Sequence, residues 1–223
     1  MEKLLPFLPL LLDGLRTTLV IFALSALVAT GFAIVAGVAR HVGSRWLAWP
    51  VAAVVEFFRG TSCFVQLFWV FYALPMFGVT LSPLVASVFV LGLNVGSYGS
   101  EVVRGALRAV PTGQIEAARA LNYSRFQSLT HVVAPQALRM AIRPGANLLV
   151  DLLKLTPLTS LVTVADLTRS AMVMRNQTGD TLAAVLLIFV GYFALASLIY
   201  AAMDRLEARL RRRVKAPEAR AAA

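Results

Sequence analysis

The sequence predicts an all-α integral membrane bundle with about five transmembrane helices, and three observations carry that prediction. Apolar residues make up 59% of the 223 residues and charged residues only 14%, too apolar a mixture to cover its own surface in water. The apolar residues gather in long runs, of which 17–39 holds no charge at all, and the mean hydropathy is +0.76. The 21 lysines and arginines, against 11 acids, concentrate in three of the segments that separate or follow those runs.

A helix needs about 20 mostly apolar residues to cross roughly 30 Å of hydrocarbon. The run 17–39 has that length. It exceeds a signal-peptide core of about 7–15 residues, and Arg40 follows it, so it reads as a retained first span. The charge-free run 60–100 is too long for one crossing and is interrupted by Pro75, Gly78 and Pro83, which favour a turn. It therefore holds the second and third spans. The second extends back to about Val51 and takes in Glu56 and Arg59; the third continues towards Val103. A fourth span is expected over 134–164 despite Arg139, Arg143, Asp151 and Lys154, and a fifth over 181–203. Residues 1–215 read as one transmembrane domain with a polar loop at 111–130, and 216–223 as a disordered tail.

Lysine and arginine prefer the cytoplasmic side of a membrane. Arg40 and Arg45 follow the first span, Arg104, Arg108, Arg119, Arg125, Arg139 and Arg143 lie between the third and fourth, and Arg205, Arg209, Arg211, Arg212, Arg213 and Lys215 follow the fifth. These segments fall on one side, which places the N-terminus outside and the C-terminus in the cytoplasm of a multi-pass membrane protein. The opposite side receives the uncharged turn at 75–83 and the loop 165–180, where Asp166 and Asp180 balance Arg169 and Arg175. Topology and attraction to anionic lipid account for the net charge of +10 without a nucleic acid partner.

Several chemistries are missing. No phosphate loop of the Gly-x-x-x-x-Gly-Lys-Ser/Thr type occurs, nor a nucleophile elbow or a zincin motif. Cys63 has no partner for a disulfide, and His41 and His131 have no companions at metal spacing, so neither a metal site nor a cofactor is expected in this chain. The polar stretches are too short to form a solute-capture domain.

The polar loop from Pro111 to about Pro135 becomes the candidate contact with a soluble partner. Gln114, Glu116 and Arg119 stand at helical spacing, and small Ala117, Ala118 and Ala120 would let a groove approach the backbone. Glu116 is expected in the first helical turn after Pro111, where the helix dipole favours an acid, and Ile115 and Leu121 are expected as apolar anchors. Amphipathicity alone also fits an ordinary helix lying on the membrane surface.

The stretch Gly113-Gln114-Ile115-Glu116-Ala117-Ala118-Arg119-Ala120-Leu121-Asn122 resembles the EAA loop of membrane subunits of binding-protein-dependent ABC importers. Its surroundings resemble the polar amino acid permease family, over about 13–207. Asn122 stands where that family has glycine; asparagine tolerates the positive φ that a turn between two short helices often needs. Glu56-Phe57-Phe58-Arg59-Gly60-Thr61 with Gln66-Leu67, Glu101-Val102-Val103-Arg104-Gly105, Ala134-Pro135-Gln136, and Asn147 with Leu152-Leu153-Lys154 continue the resemblance. Ser62 replaces a common proline, Leu155 an acid and Pro157 a serine. The resemblance assigns ATPase coupling to Gln114, Glu116, Ala117, Ala118, Arg119, Leu121 and Asn122. It implies two ABC ATPase subunits carrying ATP and Mg, a second permease subunit, identical or homologous, and an extracytoplasmic solute-binding protein. The stretches 91–105, 66–69 and 77–80 are similar to the ectoine and hydroxyectoine uptake branch, and small residues such as Gly92, Gly96 and Gly99 within them also let membrane helices pack closely.

Three acid–base pairs recur at i,i+3 spacing: Glu56 with Arg59, Glu101 with Arg104, and Asp151 with Lys154. Charges in hydrocarbon face a bundle interior, a cavity or a partner, so these six residues, with Asn147 one turn before Asp151, are candidates for the solute path. The competing reading, favoured for Glu56 with Arg59 and for Glu101 with Arg104, is that a pair neutralises itself and fixes helix packing near the membrane edge. A wall offering both signs would suit a zwitterion. An ion-gradient-driven transporter or channel, and a membrane scaffold that recruits a soluble protein, are the competing function classes.

Overall fold

The computed structural model describes residues 5–221, with side chains over 6–209, and no strand occurs among them. Four of its helical stretches, Leu8–Val42, Pro83–Arg108, Arg125–Val162 and Thr181–Arg209, are long and apolar enough to cross a membrane. A fifth crossing arises from two shorter pieces, Arg45–Gly60 and Cys63–Phe77, that meet at 102°.

Helix α1 (Leu8–Val42) packs along α4 (Pro83–Arg108). Small residues permit the close approach: a Cβ at Gly92 would lie 2.7 Å from Val28 Cγ1, one at Gly96 2.8 Å from the Ala29 carbonyl oxygen, and one at Gly99 2.8 Å from Ala33 Cβ. These contacts rise together along both chains, so α1 and α4 run parallel. Small side chains let the backbones approach, which is how helices associate where lipid supplies no hydrophobic drive. Of the ectoine-like stretch, Gly92, Gly96 and Gly99 are therefore packing residues. Helix α1 also extends beyond the expected 17–39 and carries Arg40 inside the helix, its side chain only 12% exposed, rather than in a following loop.

The second span is not the straight helix expected from 51 onwards. Helix α2 (Arg45–Gly60) stops at Thr61 and Ser62, whose backbones are extended, and α3 (Cys63–Phe68) sets off in a new direction, continued by a π-helical turn, Trp69–Ala73, and a 3-10 turn, Leu74–Phe77. Breaking a helix strands carbonyls, and in hydrocarbon each stranded group must find a partner. Here side chains supply them. The Gln66 amide donates to the carbonyls of Phe58 and Thr61, Asn94 donates to the Phe58 carbonyl and the Gln66 amide oxygen, Tyr98 donates to the Arg59 carbonyl, and Thr61 to that of Phe57.

Gly78, in the left-handed region at φ 83°, turns the chain towards Ser82, which caps α4 through Val85 N at 3.3 Å. After α4 come the short helix α5 (Thr112–Ala120), a turn, and α6 (Arg125–Gln127), which passes through a π-helical turn, Ser128–Val133, into α7 (Ala134–Leu155) and a 3-10 segment, Thr156–Val162. The fourth crossing thus begins earlier than the expected 134. Asp166 caps α8 (Leu167–Thr178), and Gly179 at φ 71° ends it. Helix α9 (Thr181–Ala221) runs well past the expected 203; the helix includes 216–221 of the tail expected to be disordered, and 222–223 lie outside the described residues.

Leu67, Leu91, Leu152 and Ile21 form the central core. Helix α4 is the axis of the bundle, with 67% of its apolar stretch buried, whereas α9 buries only 6% of its own and presents most of its length outwards. Val133, just before α7, and Ala137 within it meet Ala106 of α4 and Val110 just beyond it, so α7 runs antiparallel to α4, and the Arg143–Glu207 ion pair brings the far part of α9 back to that end.

Candidate coupling surface and charge cluster

The polar loop forms a seated helix. Pro111 precedes α5, and Ile115 turns inward onto the cluster of Ala106, Leu107, Val110, Val133 and Ala137. Ala118 is 2% exposed. Two of the residues expected to meet a partner, Ile115 as an anchor and Ala118 in the coupling set, are instead the feet of the helix, because the apolar side of so short a helix is claimed by the nearest apolar surface. Gln114, Glu116, Ala117, Arg119, Leu121 and Asn122 all face outwards, Leu121 at 71% exposure. Glu116 falls in the second turn, since α5 starts at Thr112, so the expected dipole contribution does not apply.

Asn122 adopts φ 59°, the left-handed conformation that closes a helix. Its N–H donates to Arg119 O at 2.9 Å, and Tyr123 N–H donates to Ala118 O at 3.0 Å. Ser124 and Gln127 then form a reciprocal capping box, with bonds of 3.2 and 2.9 Å, that starts α6. The turn leaves Tyr123 (41%) and Phe126 (73%) exposed beside Leu121. Sequence reasoning passed over both aromatics; a Ser-x-x-Gln box that begins two residues after Asn122 was the signal that a second helix starts there and projects Phe126 outwards.

The first two acid–base pairs are not separate. Arg59 bonds Glu56 at 3.1 Å and also approaches Glu101 at 3.6 Å; Glu101 is bonded in addition by Arg104 and by Arg40 of α1. One carboxylate thus faces three guanidinium groups from three helices, and Arg59 also lies over the Tyr98 ring at 5.4 Å. Helix spacing alone reveals Glu101 with Arg104; Arg40 stands 61 residues away, and only the α1–α4 crossing brings it in.

The third pair stands apart. Lys154 Nζ lies 3.2 Å from Asp151 Oδ1, with side chains 65% and 57% exposed. Asn147, Asp151 and Lys154 share one exposed face of α7, while Val150, Leu152 and Leu153 bury the other. Of the seven residues expected along a solute path, three therefore form one open face and four belong to the cluster around Glu101.

Residues 29–212 match the family described as binding-protein-dependent transport system inner membrane component. The chain belongs to this family. Among its relatives, a probable amino-acid ABC transporter permease protein of Sinorhizobium fredii, y4tG, is 35% identical over 89% of this chain and 86% of its own length. The L-cystine transport system permease protein TcyB of Bacillus subtilis is 38% identical over 74% of this chain and 70% of its own. The crystal structure of an amino acid ABC transporter with histidines matches at TM-score 0.86 and 25% identity, covering 93% of this chain and 97% of that one. The inward-facing MetNI methionine ABC transporter shares the fold, at TM-score 0.80 and 23% identity over 92% and 98%. The chain is accordingly an ABC transporter permease subunit, a multi-pass membrane component that transports without catalysing a reaction.

In this permease helix α5 packs on the π-helical turn Ser128–Val133 that leads into α7, with Ile115 against the cluster it shares with Ala106 and Val110, and α7 carries Asp151 and Lys154.

Proposed function

We propose that this permease forms, with a second permease subunit, the membrane path of an ATP-driven importer for polar amino acids. The observation that carries the reading is the exposed face of α7: a membrane-crossing helix presents Asn147, Asp151 and Lys154 with both signs of charge 3.2 Å apart. Such charges are not tolerated against lipid and face a cavity or a partner, and a paired acid and base offer complementary partners to the ammonium and carboxylate of a zwitterion. The relatives named for amino-acid and L-cystine transport support the same substrate class.

Two ATPase subunits, which hold ATP and Mg, dock on Gln114, Glu116, Ala117, Arg119, Leu121 and Asn122, with Ala118 as the buried foot; a solute-binding protein delivers the amino acid on the other side. The arginine-rich ends of α1, α4 and α9 lie in the cytoplasm, the N-terminus outside. ATP-driven closure of the ATPases moves α5, and α4 and α7 follow. Ectoine or hydroxyectoine is the narrower candidate, supported by the sequence resemblance alone; Gln66, Asn94 and Tyr98 within that resemblance bind the carbonyls of the helix break. Uptake of a labelled panel of glutamine, cystine, other polar amino acids and ectoine by proteoliposomes holding permease, ATPase and binding protein tests the reading. Uptake of an amino acid that collapses in Asp151→Asn is expected; unchanged affinity and rate in that variant would remove the α7 face from the path.

A further inference from the structure

Beside the proposed solute path, a crevice of about 260 Å³ opens between α1, α4, α7 and α9. It lies at the end of the bundle marked by Arg139 and the Arg143–Glu207 pair. Ile34, Val103, Leu138, Gly145, Met203 and Leu206 are among its walls, and Thr30 supplies the only hydroxyl in the lining. Ile34, Leu138 and Leu206 are 51%, 60% and 44% exposed, so the crevice opens sideways from membrane-crossing helices. A Cβ built on Gly145 meets no atom within 4 Å, which shows that the space continues to the α7 backbone.

The lining is apolar apart from Thr30 and the crevice opens towards the side of the bundle, which suits a linear hydrocarbon chain. The charges at the rim select the rest of the molecule. Arg143 and Glu207 pair at 2.9 Å across the α7–α9 gap, with Asp204 a second acid near Arg143, whereas Arg139 on α7 and Arg209 on α9 are exposed and form no ion pair among the described residues. Arginine stems extend along apolar surface and place their heads at the interface, where they attract anionic lipid.

We propose that the crevice is a binding site for one acyl chain of an anionic phospholipid, with the headgroup phosphate held by Arg139 and Arg209. The lipid fills the gap that α9 leaves beside α1 and so couples the lightly packed α9 to the rest of the bundle.

Native mass spectrometry of the assembled transporter in mild detergent, titrated with phosphatidylglycerol and with phosphatidylcholine of the same chains, tests this. Retention of phosphatidylglycerol at several-fold lower concentration than phosphatidylcholine is expected. Gly145→Leu fills the crevice and should lower occupancy at least tenfold, while Gly145→Ala should lower it less and guards against misassembly. Gly31→Leu, on an exposed face of α1 outside the crevice and with no atom near its Cβ, should leave occupancy unchanged. Arg139→Gln should erase the headgroup preference while the chain still binds. Equal retention of the two lipids in the wild type, undiminished occupancy in Gly145→Leu, or the same loss in Gly31→Leu would overturn the proposal.

Discussion

Glu101 is flanked by Arg40, Arg59 and Arg104, so its removal leaves three cations that repel one another in a half-buried site. Breaking such a pair by deleting one member costs about 3 kcal/mol, because the remaining charge is left uncompensated. Glu101→Gln should therefore destabilise the permease by about 2–4 kcal/mol, whereas Glu56→Gln, at a side chain 62% exposed, should cost about 0–1 kcal/mol. Thermal unfolding of both variants in one detergent separates the two, and equal losses would dissolve the cluster. Asp166 offers a pH prediction. Its side chain is buried and caps α8 at Arg169 N, 2.8 Å away, and burial raises its carboxyl above the ordinary 3.8 against the hydrogen bonds that lower it. The protonated form is then the one the fold prefers, so this group's stabilisation is complete below 3.8 and fades as pH climbs through the raised value. Asp166→Asn keeps the cap and should flatten that decline in thermal midpoint against pH; an unchanged slope would assign it to other groups. At this scale the sequence showed the i,i+3 pairs and the positive φ of Asn122, because both depend on neighbours within a turn. It did not show Arg40 on Glu101, nor that Ala118 points inward, because both depend on which surfaces the folded bundle brings close.

At the scale of elements, the broken second span depends on side chains far from it. Gln66→Leu should leave the Thr61 carbonyl without its amide donor and the Phe58 carbonyl with Asn94 alone, at about 1–3 kcal/mol for a buried group left unpaired. Gln66→Glu keeps the shape and not the donors, and should lose a comparable amount; retention of full thermal stability by both would mean that the bend is held by other forces. The turn after α5 makes the complementary test. Asn122→Gly should be nearly neutral, while Asn122→Val, a β-branched residue forced to φ 59°, should cost about 1–2 kcal/mol and reduce co-purification of the ATPase. Long apolar runs announced the spans, and Pro75, Gly78 and Pro83 announced the turn between the second and third. The bend at Thr61 was hidden for a physical reason. Its signal is not a helix breaker of the strongest kind but the set of Gln66, Asn94 and Tyr98, 5 to 39 residues away in sequence, which makes an open helix end tolerable.

Across the whole molecule, the fold class follows from composition, since a chain with 59% apolar residues has no way to bury them in water. The parallel packing of α1 on α4, and the two separate neighbourhoods of charge, require the tertiary arrangement. That arrangement seats α5 on the π-helical turn that leads into α7, the helix that carries the paired charges of Asp151 and Lys154. Glu116→Lys, on the outward side of α5, should abolish ATPase assembly without altering the thermal stability of the isolated permease; assembly and solute-stimulated hydrolysis at wild-type level would detach α5 from the ATPase. The most direct measurement is uptake of labelled polar amino acids into proteoliposomes that contain the permease, its ATPase and its binding protein, with ATP or an ion gradient supplied separately. Uptake that needs both ATP and the binding protein is expected; uptake sustained by a proton or sodium gradient with no ATPase present would contradict the assignment.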